Sequence, residues 1–102
     1  MPFTFSWKKM QEQNAYIISS IKHLLANFPL DGRSPVKVRF RHTGGNQYLI
    51  EAENNSNTHE ATIYLECNPF KHRWTLSRHQ IMEGIGLPHC RPSRFGGFTF
   101  YN

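Results

Sequence analysis

Apolar residues recur three or four positions apart up to Pro29 and two positions apart after Pro35, so the chain changes from helix to strand across that loop. In the first stretch Trp7, Met10, Ile17, Ile21, Leu24 and Phe28 form a stripe that Ile18 and Leu25 widen. Lys8, Lys9, Glu12, Gln13, Ser19, Ser20 and Lys22 fall largely on the opposite side. This pattern predicts an amphipathic helix from about 7 to 28, with Ser6 as N-cap and Pro29 forbidding continuation. A single stripe of this kind marks a helix packed on a core.

The strand period comes next. Val36, Val38 and Phe40 alternate with Lys37, Arg39 and Arg41, which predicts a half-buried strand. Thr43-Gly44-Gly45-Asn46 reads as a hairpin turn and Gln47 to Glu53 as the returning strand. After the polar turn Asn54–Thr58, Ala61, Ile63, Leu65 and Cys67 alternate with Glu60, Thr62, Tyr64 and Glu66, predicting a third strand that stops at Asn68-Pro69.

Face matching predicts the register of the first pair. A two-residue Gly44-Gly45 loop sets Arg39 opposite Ile50 and Val38 opposite Glu51, joining charge to oil. A three-residue loop over Gly44–Asn46 sets Val38 opposite Ala52, Phe40 opposite Ile50, Arg39 opposite Glu51 and Lys37 opposite Glu53. Both faces are then self-consistent, so the odd-length loop is expected.

Beyond Pro69 the signals are local. Ser77-Arg78-His79-Gln80 has the form of a capping box, predicting a short helix over about 78–84 that buries Ile81 and Met82, with Gly84 and Gly86 ending it. His89 to Gly97 reads as a loop because it holds Pro92 and two glycines, and Phe98–Tyr101 as a terminal strand. Met1–Phe5 is a further candidate strand at a sheet edge. The expected fold is α+β: a long N-terminal amphipathic helix packed on an antiparallel sheet of 3–5 strands, with a short second helix near the C-terminus.

Composition sets the outer limits. The 102 residues are 38% hydrophobic and include fourteen aromatics, so residues 1–102 are expected to fold as one domain. Two cysteines make no disulfide framework, and no run approaches the ~20 apolar residues of a membrane span. Met1–Trp7 lacks the basic-then-apolar layout of a secretory signal. A cytoplasmic protein with no membrane partner and no cofactor is the resulting expectation.

The net charge of +5 is unevenly spread: residues 1–50 carry +5, residues 51–70 carry −4 and residues 71–102 carry +4. Glu51, Glu53, Glu60 and Glu66 are expected on the outer face with Lys37, Arg39 and Arg41, neutralising that ladder across strands. The late cations have only Glu83 against them. Lys71, Arg73, Arg78, Arg91 and Arg94 are interleaved with aromatics, of which Trp74 and Phe95 are the candidate stacking platforms. Cations neutralise phosphates while aromatic faces stack on unpaired bases, so these seven residues form the candidate surface for single-stranded nucleic acid rather than duplex. No catalytic role is assigned to them.

Two alternatives belong to other classes. The same basic, aromatic surface suits docking on an acidic protein partner, as an inhibitor, immunity or accessory protein would dock. His79 and His89 beside arginines could also support metal-independent RNA cleavage. Cys67, His72, His89 and Cys90 lack a paired Cys-x-x-Cys knuckle, and no metal site is expected.

Gly84-Ile85-Gly86 and Arg91–Phe98 together are similar to the Gly-rich loop of the RAMP superfamily, the ferredoxin-like RNA-binding proteins of CRISPR systems. The spacing departs from that family, and the third middle strand is foreign to its βαββαβ unit. The helix–strand–strand–strand–helix order resembles the double-stranded-RNA-binding domain. Ser77-Arg78-His79-Gln80 offers one arginine where such domains have a lysine-rich helix start. Neither resemblance assigns a family.

Overall fold

A computed structural model describes residues 7–28, 35–55, 57–67, 76, 78–85, 89–93 and 97–101, with the backbone alone at 78, 89–93 and 101. The elements run α1 (Trp7–Leu25), β1 (Val36–Gly44), β2 (Gln47–Glu53), β3 (Thr58–Tyr64), α2 (Arg78–Ile85), β4 (His89–Ser93) and β5 (Gly97–Tyr101). The strands form one antiparallel sheet in the order β3-β2-β1-β5-β4. This is the α+β fold that the periodicities predict. The α–β–β–β–α order is present too, but a C-terminal hairpin extends the sheet from the free side of β1.

Helix α1 is shorter than its stripe. It ends at Leu25, and tight turns carry the chain on to a buried Phe28. Ile17, Ile21, Leu24 and Leu25 enter the core, whereas Trp7 is 68% exposed. Periodicity gives the direction a side chain takes around the helix axis, not how far the partner surface extends along it. Burial on this stripe begins at Gln13, which the pattern placed on the polar side.

Strand alternation carries the rest of the core. Val36 and Val38 of β1, Tyr48, Ile50 and Ala52 of β2, Ile63 of β3, and Phe98 and Phe100 of β5 share one face with Ile81 of α2 and the α1 residues. Both helices therefore cover the same side of the sheet, α1 over β2 and β3, α2 over β4 and against α1. Gly84 lies inside α2 rather than ending it. A Cβ there would stand 2.5 Å from Ile18 Cγ2, so its lack of a side chain lets the two helices approach.

The β1–β2 register is the face-matched one: Val38↔Ala52, Phe40↔Ile50, Arg39↔Glu51 and Lys37↔Glu53. The turn differs in detail. Gly44 pairs with Gln47, and the odd residue is absorbed as a bulge between His42 and Gly44. Gly44 and Gly45 take φ of 144° and 53°, the region open to glycine. Thr43 Oγ1 donates to the Gln47 carbonyl at 3.1 Å, and His42 Nε2–H donates to the Gly45 carbonyl at 2.6 Å.

Two further expectations change. β3 ends at Tyr64, not at Cys67, which lies in a bend beyond it. His89–Ser93, expected as a loop, is the edge strand β4. Proline cannot donate to a ladder, but an edge strand leaves one side unbonded, and Pro92 is tolerated there opposite Phe98. The candidate strand Met1–Phe5 lies outside the described residues.

Candidate nucleic-acid interface

The side of the sheet away from the helices is where β1, β2 and β3 put their charges. Arg39 reaches two carboxylates, Glu53 at 3.1 Å and Glu51 at 3.8 Å, while Arg41 meets Glu51 at 3.4 Å. Lys37 is directly opposite Glu53 in register, yet Glu53 is engaged by Arg39 on the diagonal. The long, planar guanidinium spans two acids where an ammonium serves one. Among the described residues Lys37 has no ion pair. Exposed pairs of this kind contribute about 0–1 kcal/mol each, so their importance here is in which charges they cancel.

Of the two other expected glutamates, Glu60 shares this face and Glu66 does not. Glu60 is opposite Glu51, adding negative charge toward the β3 edge. Glu66, beyond the strand, meets Lys9 of α1 at 3.7 Å. Glu83 lies 3.5 Å from His79 one turn earlier on α2, both well exposed. Glu51, Glu53 and Glu66 are thus held by cations that precede residue 50.

The candidate residues divide by position. Arg78 opens α2, and Arg91 stands on β4 opposite Thr99. Lys71, Arg73, Trp74, Arg94 and Phe95 lie outside the described residues. Thr99 is in turn opposite Lys37, so the row Lys37–Thr99–Arg91 crosses three adjacent strands. The sheet order alone reveals this neighbour relation, because nothing in the alternation of β1 says which strand meets its second edge.

A polar cluster that the pattern missed joins α1 to the segment after β3. Gln13 is 8% exposed; its Oε1 accepts from the amides of Glu66 at 3.0 Å and Cys67 at 3.2 Å, and its Nε2 donates to the Cys67 carbonyl at 2.6 Å. A polar residue four positions before Ile17, on the buried stripe, is the sequence signal for it. Burial, and then the Glu66 carboxylate, push the Cys67 thiol above its ordinary 9.0. Burial, and then Cys67, push the Tyr48 phenol above 10.0. Both groups keep their protons longer folded than unfolded, so their contribution to stability is constant below about pH 9 and is lost as pH rises beyond it. In chemical denaturation from pH 8 to 10.5, wild type should lose stability relative to Cys67→Ser once pH passes 9. Parallel curves would contradict the shift.

Among the described residues, no three His, Cys, Asp or Glu side chains gather as a metal would require, and no helix is long and apolar enough to cross a membrane. Among the described residues, both helices pack on one face of the sheet and no helix packs on the other. No protein-family model, curated protein or solved structure matches the chain.

Proposed function

We propose that this is a small, non-catalytic nucleic-acid-binding protein that contacts a single strand through its basic C-terminal segment. The observation that carries the reading is the pairing of Glu51, Glu53 and Glu66 with Arg39, Arg41 and Lys9. Those acids are occupied by early cations, and the five Lys and Arg residues of 71–102 have Glu83 alone against them within that segment, a net charge of +4. Lys71, Arg73, Arg78, Arg91 and Arg94 would meet phosphates, and Trp74 and Phe95 would stack on bases.

Fluorescence anisotropy of a labelled single strand should show binding at 50 mM salt that weakens steeply by 200 mM, because each neutralised phosphate releases counterions. Absence of binding, or affinity independent of salt, would overturn the reading. Capture of a partner protein that survives nuclease treatment would favour docking on an acidic protein surface instead.

A further inference from the structure

We propose that Lys37 of β1 belongs to the nucleic-acid surface, and that the row Lys37–Thr99–Arg91 seats the phosphates of a single strand crossing β1, β5 and β4. This rests on the reading above and extends it to a residue distant in sequence from the C-terminal cations but two strands from Arg91 in the sheet.

Three observations converge. Lys37 differs from Arg39 and Arg41 in charge balance: the arginines hold Glu51 and Glu53, whereas Lys37 has no ion pair among the described residues. It also sits across Thr99 from Arg91, so two cationic positions are separated by one hydroxyl-bearing strand. Adjacent strands are about 4.8 Å apart, which puts those two backbone positions within about 10 Å of each other. Finally, a surface cavity of about 370 Å³ lies beside Lys37, lined by Pro35, Glu53, Asn54 and Asn55. That is room for a phosphate group. Glu53 also lines it, but its charge is engaged by Arg39 at 3.1 Å.

The arrangement makes a claim that total charge does not. Removing Lys37 and removing Arg41 change the net charge equally, yet only Lys37 stands in the row. The test is an anisotropy titration of a labelled twelve-nucleotide oligouridine from 50 to 300 mM NaCl with wild type, Lys37→Gln, Arg91→Gln and Arg41→Gln. Lys37→Gln and Arg91→Gln should each weaken low-salt binding by about three- to tenfold and reduce the slope of log affinity against log salt by about 0.7. Arg41→Gln should stay within about twofold of wild type. If wild type binds but Lys37→Gln and Arg41→Gln behave alike, whether both unchanged or both equally weakened, the row is wrong and the C-terminal reading stands. If wild type does not bind, both fall together. Circular dichroism of each variant checks that the fold is intact.

Discussion

Replacing Phe100 with alanine should destabilise the protein by about 3–5 kcal/mol, the range for deleting a fully buried aromatic ring. Phe100 has no solvent exposure, lies between Val36 of β1 and Cys90 of β4 in register, and has its ring centroid 6.5 Å from that of Phe98. A domain of this size has about 5–15 kcal/mol of stability in total, so the loss is a large fraction of it. At about 4–8 °C per kcal/mol, the thermal midpoint should fall by more than about 10 °C. Phe100→Leu keeps most of the apolar volume and should fall much less. A midpoint for Phe100→Ala within a few degrees of wild type would mean that β5 does not pack as described.

The second large effect is expected at Gln13. Gln13→Leu keeps the volume but leaves two amides and a carbonyl without their partner, in a site where the glutamine itself is 8% exposed. Each buried polar group left unsatisfied costs about 1–3 kcal/mol, so a total of about 3 kcal/mol or more is expected. Gln13→Glu retains the acceptor for the Glu66 and Cys67 amides and loses only the donor to the Cys67 carbonyl. It should therefore lie between the other two. Hydrogen exchange gives the specific signature: the amides of Glu66 and Cys67 should lose protection in Gln13→Leu beyond the global change. Equal protection in wild type and variant would show that the bridge is not made.

What the sequence reveals depends on how many partners a pattern has to satisfy. The β1–β2 register was legible because both strands carry charge on one side and oil on the other, and one alignment alone matches them. The bulge at Thr43 was not, since face matching counts residues between pairs without saying how the odd one is stored. Helix α1 was legible as an element, but Trp7 and Gln13 were misplaced, because the stripe does not say where along the axis the sheet begins. β4 was hidden because Pro92 and its neighbours show no alternation; β5 offers the ladder that makes His89–Ser93 a strand. For the candidate interface, the cancellation of Arg39 and Arg41 was foreseeable from cross-strand glutamates. The exception at Lys37 was not, because it turns on the diagonal reach of Arg39 and on the placement of β5 beside β1.

The two sides of β1 are closed at different stages of assembly. β2 arrives across a tight turn, so the meander and α1 can collapse from local contacts, whereas residues 36–39 wait for residues 97–100. During synthesis, and in any partly opened state, Val36 and Val38 lie on a strand edge that another chain could extend. Lys37 and Arg39 alternate with those valines and act as gatekeepers, since a second strand laid against them would meet two cations. Exchanging them for threonine should be felt first as inclusion bodies at high expression.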